Sequence, residues 1–196
     1  MWFLFLFLFV SVSVAESLEG PVMCTASWRP PPVKRDKKWD PERPVCELQG
    51  AWAVSAAGPT EKKADLWAQT RLDDVLDATF EARVTRVRGS LAEAVAIPQQ
   101  QLCLAQFSKQ KEVTCRPDPG LALHRYCFVK FEAPECWAGM GFEFDGFAVW
   151  KAMKKGTERM CKQVEEALVT DGVAPEDRLE CRAQCLQEVQ VQCSDL

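Results

Sequence analysis

The chain has 196 residues and a formal net charge of −4 at neutral pH, with acidic and basic residues interspersed along its length. Without a polybasic surface, neither nucleic acid nor an anionic lipid surface is expected as a partner.

The first fifteen residues have the pattern of a secretory signal peptide. An apolar run extends from Trp2 to Val14, and small residues precede a cleavage position before Glu16. This run is shorter than the roughly 20 residues that cross a membrane, and no later segment is longer or more apolar. Because no Lys or Arg stands near Met1, a leader retained as a signal anchor is the alternative. We expect residues 1–15 to be removed, leaving a secreted or secretory-lumen protein with no membrane span.

All ten cysteines lie after the leader, and their number is even. Secretion delivers a chain to an oxidising compartment, where paired cysteines form disulfides rather than metal sites or free nucleophiles. Up to five bridges are therefore predicted, and no metal or cofactor. The cysteines are Cys24, Cys46, Cys103, Cys115, Cys127, Cys136, Cys161, Cys181, Cys185 and Cys193.

Residues 16–59 form a proline-rich segment that is expected to be irregular. Pro30, Pro31 and Pro32 favour polyproline II conformation. Cys24 and Cys46 bracket this stretch, and a bond between them would hold it as a closed loop.

Residues 60–146 are expected to form an α+β core. Apolar residues at helical spacing predict an amphipathic helix over 61–79, capped by Thr60. Alternation over residues 80–85 then predicts a strand that ends near Gly89. Residues 91–103 fit either state.

Further strands are predicted in the second part of this core. Cys103 and Cys115 flank two segments that are interpreted as a hairpin, and residues 117–120 form a strong turn signal. Residues 128–133 alternate between apolar and polar side chains, which is typical of a half-buried strand. The aromatic segment 137–150 is expected to contribute to the core rather than to an exposed patch.

Residues 147–196 are interpreted as a helical hairpin extension. With the turn near residue 171, antiparallel geometry places Cys161 opposite Cys181. Cys185 and Cys193 would lie about 12 Å apart along one helix, too far for a mutual bond. At least one bridge is therefore expected to tie this extension to the core.

The residues that catalysis would need are sparse. His124 is the only histidine, and its apolar neighbours favour a structural role on a strand. The acidic pairs Glu143 with Asp145 and Asp73 with Asp74 fit solvated faces better than an acid–base pair. A small secreted hydrolase that uses His124 beside Glu143 or Asp145 is the less favoured alternative, and no enzyme is predicted.

One part of the chain resembles a known family. The helix at 61–79, the strand ending at Gly89, the Cys103/Cys115 hairpin and the segment 127–137 together resemble the cystatins. The resemblance implies a sheet wrapped around one helix and inhibition of papain-like proteases. The motif residues that it implies for binding are Val87 and Gly89 in a first hairpin and Pro134 and Trp137 in a second.

These observations predict an α+β, disulfide-rich fold with an antiparallel sheet on one helix and a C-terminal helical hairpin. They favour a secreted, non-catalytic protein that binds another protein. A cystatin-like protease inhibitor is the alternative function.

Overall fold

The structure is a computed structural model that describes residues 20–28, 52–134 and 136–194. The predictions for the leader, for residues 29–51 of the proline-rich segment and for Cys46 lie outside these residues. The prediction that the whole segment 16–59 is irregular is wrong, because Val22–Trp28 and Trp52–Gly58 form two strands that pair antiparallel along their full length. The described part is α+β, as predicted, and its strands pair antiparallel in two three-stranded sheets.

The N-terminal half contains the first sheet and two helices. Its strands are β1 (Val22–Trp28), β2 (Trp52–Gly58) and β3 (Glu112–Pro117), in the order β2-β1-β3. Helices α1 (Glu61–Val87) and α2 (Glu93–Gln110) connect β2 to β3.

The C-terminal half contains the second sheet and the other two helices. Its strands are β4 (His124–Ala133), β5 (Trp137–Ala148) and β6 (Gln190–Ser194), in the order β5-β4-β6. Helices α3 (Val149–Thr170) and α4 (Pro175–Glu188) connect β5 to β6.

The two halves have the same topology. In each, two strands are followed by two helices and by a third strand that pairs with the first. A disulfide joins the first strand to the third at directly opposed residues, Cys24–Cys115 in one half and Cys127–Cys193 in the other. The described chain is therefore built from two copies of one ββααβ arrangement.

The cysteine spacing repeats as well. Cys103 lies on α2 and Cys181 on α4, each twelve residues before the cysteine of the following strand. Cys181 bonds Cys136, and Cys103 is also disulfide-bonded.

Helix α1 is longer than predicted and includes the residues expected to form a strand. Thr60 caps its N-terminus as predicted, because its side chain accepts a hydrogen bond from the backbone N–H of Lys63. Phe80 and Ala82 are both buried, but in helix. α1 is covered by the first sheet on one side and by α4 on another, so its buried arc is wide. Over a stretch as short as residues 80–85, a helix that is buried on several sides can show the same alternation of apolar and polar residues as a half-buried strand.

The predicted Cys103/Cys115 hairpin is wrong. Cys103 belongs to α2, which runs through Pro98, whereas Cys115 lies on β3. β3 pairs with β1 instead of with a neighbouring strand, so the hydrogen bonds that a hairpin would supply come from a distant segment.

Two of the predicted cysteine contacts are also corrected. Cys24 bonds Cys115 and not Cys46, because β1 and β3 place the two residues side by side. Cys161 bonds Cys185 instead of Cys181, one helical turn further along α4.

The helical hairpin and its connection to the core are confirmed. α3 and α4 flank a turn at residues 171–172, where Gly172 has a left-handed φ of 71°. The Cys127–Cys193 and Cys136–Cys181 bridges tie this segment to the second sheet. α4 ends at Glu188, earlier than expected, and β6 follows.

Strand β4 has the predicted alternation. Val129, Phe131 and Ala133 are buried against α3 and α4, whereas Phe128 and Glu132 face outward. Within the described residues, no helix is both long and apolar enough to cross a membrane.

Candidate functional site

A pocket of about 120 Å³ lies where the two halves meet. Strand β2 and helix α1 of the N-terminal half form one side, and helices α3 and α4 of the C-terminal half form the other. Its lining combines apolar side chains with a few polar groups. The lining residues are Ser55, Ala56, Ala57, Trp67, Thr70, Arg71, Asp74, Met153, Lys154, Thr157, Glu158 and Leu186.

Arg71 of α1 is the central polar residue of this pocket. Its Nε–H donates to the carbonyl oxygen of Leu186, in the last turn of α4, and one Nη1–H donates to the carbonyl of Ser55, 2.9 Å away. Helix C-terminal carbonyls lack partners within their own helix, and an edge strand has unpaired carbonyls on one side. Arg71 therefore joins α1, α4 and the edge strand β2.

The rest of the Arg71 guanidinium has no protein partner among the described residues. A guanidinium has five N–H donors, and the two hydrogen bonds above occupy two of them. No described carboxylate forms an ion pair with it. Desolvation by burial lowers the pKa of Arg71 from 12.5 to about 10, so the side chain stays charged at neutral pH. The pocket thus contains a partly buried positive charge that has no compensating anion among the described residues.

The two acidic residues that line the pocket are associated with other cations. Glu158 accepts a hydrogen bond from the Nζ of Lys154, one turn away on α3, at 2.6 Å. Burial raises the pKa of the exposed Asp74 carboxyl, and the positive charge of Arg182 opposes that effect. Neither acid neutralises Arg71.

Thr157 is a second polar group directed to the same cavity. It lies on α3 and is only 6% exposed. Other helical threonines, such as Thr70 and Thr79, donate to the carbonyl four residues earlier. The Thr157 hydroxyl makes no side-chain hydrogen bond to any residue that the structure describes, so it is available to a bound molecule.

An aromatic pair borders the pocket. The rings of Trp67 on α1 and Trp150 on α3 are stacked, with centroids 6.1 Å apart. The ammonium group of Lys154 lies 5.0 Å from the centroid of Trp67, within the range of a cation–π interaction. Both indoles are half-buried, so each keeps part of its surface open to a partner.

The residues implied by the cystatin resemblance are placed at two chain turns. Val87 is the half-buried last residue of α1, and Gly89 follows it with a left-handed φ of 79°. Pro134 is exposed in the turn after β4, and Trp137 is the first residue of β5.

These two segments reach consecutive residues of α4. Arg86, next to Val87, forms ion pairs with Asp177 and Glu180. Cys136, next to Trp137, is bonded to Cys181. A neighbour of each segment therefore contacts the same turn of α4.

His124 and Glu143, two of the residues considered for catalysis, are separated along the second sheet, and the backbone of Asp145 lies between them on β5. His124 is exposed at the start of β4, opposite Ala148, whereas Glu143 lies opposite Phe128, four residues further along the strand. Four residues of strand correspond to about 13 Å.

The acidic pair on α1 is divided between two environments. Asp73 forms an ion pair with Lys111, and Asp74 borders the pocket. Within the described residues, no three His, Cys, Asp or Glu side chains cluster as a metal site would require.

Comparison of the chain with protein-family models, with curated proteins and with solved structures finds no match.

Sequence reasoning did not identify Arg71, Thr157 or Trp67. One signal was present, because Arg71 stands three residues after Ala68 and four before Val75, both fully buried. A charged residue on the apolar face of a helix needs a specific partner. For Thr157 and Trp67 the local pattern contains no comparable sign.

Proposed function

We propose that this chain is a secreted, disulfide-stabilised binding protein without a catalytic role, and that its partner is another protein. The bridges support the secreted state, since disulfides of this number persist in oxidising compartments. They also support binding, because a cross-linked surface loses less conformational entropy when it meets a partner.

The observation that carries the proposal is the stacked Trp67–Trp150 pair beside the pocket. Binding energy in protein interfaces concentrates in a few Trp, Tyr and Arg residues next to well-packed pockets. Here two tryptophans from different halves are stacked, and one of them, Trp67, lines the cavity that contains Arg71.

The test compares the secreted chain with a Trp67→Ala/Trp150→Ala variant. Both are used to capture proteins from the native secretion, and a protein retained by the wild type alone is purified and titrated. We expect the double variant to bind that protein at least 30-fold more weakly, because interface hot spots cost about 2 kcal/mol or more when truncated.

Leu123→Ala is the matched control, since Leu123 is 48% exposed and does not line the pocket. It should leave the affinity within about twofold of the wild type, and thermal melting should show that all three proteins are folded. A captured partner that binds the double variant as tightly as the wild type would contradict the proposal.

A second candidate function is inhibition of a papain-like protease. The positions of two residues at helix α4 favour it. Arg86 and Cys136, neighbours of the two segments implied by the cystatin resemblance, contact Glu180 and Cys181 of α4. An inhibitor of this type presents two turns together at one end of the molecule.

The corresponding prediction is measured with papain and a fluorogenic peptide. If the second candidate is right, the purified chain inhibits papain, and Trp137→Ala raises the inhibition constant at least tenfold because it removes a large apolar contact. Leu123→Ala should leave inhibition unchanged. Absence of inhibition at micromolar concentrations would exclude this function.

A further inference from the structure

We propose that the pocket between the two halves binds a carboxylate that is attached to an apolar or aromatic body, with Arg71 pairing with the carboxylate. This ligand site shares Trp67 with the protein surface proposed above, but its polar contacts come from Arg71 and Thr157, which the proposed protein surface does not require.

The positive charge of Arg71 favours an anionic ligand in the pocket. A partly buried guanidinium without an anion loses part of its hydration with no ion pair to compensate, and buried charges in proteins are normally paired. Arg71 uses two N–H groups on carbonyl oxygens, and its remaining donors have no described partner. The guanidinium fork matches the two oxygens of a carboxylate, so a planar acid is the complementary ligand.

The hydroxyl of Thr157 is a second hydrogen-bond donor in the pocket. It is nearly fully buried, lines the same cavity as Arg71 and donates to no described residue. Arg71 approaches from α1 and Thr157 from α3, so the two donors can act on one anionic group from opposite walls of the pocket. Two convergent polar groups in an apolar pocket are typical of ligand sites.

Apolar side chains form much of the remaining wall of the pocket. Trp67, Met153 and Leu186 contribute an aromatic ring and two flexible apolar side chains. A ring or short alkyl chain would be removed from water there, which favours binding in proportion to the apolar area buried. The acids on the rim, Glu158 and Asp74, each interact with another cation and leave Arg71 as the unmatched charge.

The experiment uses isothermal titration of the full secreted chain, with its bridges intact, against 3-phenylpropionate and 3-phenylpropanamide. The two probes differ only in the charged group. We expect the acid to bind at least tenfold more tightly than the amide, because a hydrogen bond to a charged group contributes more than one to a neutral group. Equal binding of acid and amide, or no binding of either, would overturn the proposal.

Variants assign the effect to the two donors. Arg71→Met should abolish the preference for the acid. Because it also removes the bonds to Ser55 and Leu186, it can unfold the protein, so Thr157→Val is the second variant. Thr157→Val preserves shape and should weaken binding of the acid severalfold more than binding of the amide.

Thr79→Val is the control, since Thr79 donates to the carbonyl of Val75 and does not line the pocket. It should bind both probes as the wild type does. A preference for the acid that survives unchanged in folded Thr157→Val and Arg71→Met proteins would overturn the assignment.

The carboxylate could belong to a free small acid or to the C-terminal residue of a polypeptide. Gly-Gly-Phe with a free C-terminus and its C-terminal amide distinguish these sources. Tighter binding of the peptide acid than of 3-phenylpropionate would support the site and assign it to a chain terminus. Binding of 3-phenylpropionate alone would support the site and assign it to a small molecule.

Discussion

Replacing Cys24 and Cys115 together by alanine is expected to lower the free energy of unfolding by about 4.5 kcal/mol. The bridge joins residues 91 apart in sequence, the longest loop among the described disulfides. On the chain-entropy model, the stabilisation by a cross-link increases with the logarithm of the loop length. Because single domains are stable by only about 5–15 kcal/mol, this loss would leave the protein marginally folded. Urea unfolding under non-reducing conditions measures it.

The matched control is the Cys161→Ala/Cys185→Ala variant. Its bridge spans 24 residues, for which the same model predicts a loss of about 3.5 kcal/mol. Both bridges are formed by cysteines that are at least half-buried, so the comparison mainly tests loop length. A larger loss from the shorter loop would show that loop entropy does not determine the contribution of these bridges.

Phe131→Ala is expected to destabilise the protein by about 3–5 kcal/mol. The Phe131 side chain is fully buried on β4, within a cluster that includes Met160 and Val164 of α3. Removing a buried ring loses its transfer free energy and leaves a cavity, because the surrounding structure relaxes only partly. Disulfides at Cys161–Cys185 and Cys136–Cys181 border this cluster and would restrict its collapse. The change is measured as the shift in the urea midpoint at constant slope.

Phe128→Ala on the same strand is the control. Phe128 is 37% exposed on the opposite face, where its ring lies over Gly141, and its loss should cost about 1 kcal/mol. Equal losses of stability from the two substitutions would contradict the assignment of Phe131, and not Phe128, to the hydrophobic core.

Two elements of the fold, strand β4 and the helical hairpin, were predicted correctly from the sequence. Strand β4 was predicted from its alternation, because one of its faces is buried and the other faces outward. The helical hairpin was predicted because Gly172 and Pro175 mark its turn and the start of α4. In both cases the local pattern and the final environment agree.

Predictions failed where the environment is supplied by distant segments. The continuation of α1 through Phe80 and Ala82 depends on burial against α4, a helix almost 100 residues later. Cys115 lies opposite Cys24 only because β3 returns beside β1. The repeated spacing of twelve residues from Cys103 to Cys115 and from Cys181 to Cys193 was a usable sign of the two halves.

The amino-acid sequence by itself determined the α+β class, the disulfide-rich character, the alternation of β4 and the C-terminal helical hairpin, because these depend on composition and on short-range periodicity. The tertiary structure alone decided which cysteines bond, how two ββααβ halves face each other, and that Arg71, Thr157 and Trp67 line one pocket. The physical reason is that each of these features joins residues of different elements, and the energy that brings such elements together is the sum of many long-range contacts. The pattern of a short stretch of sequence does not indicate which long-range contacts its residues will make.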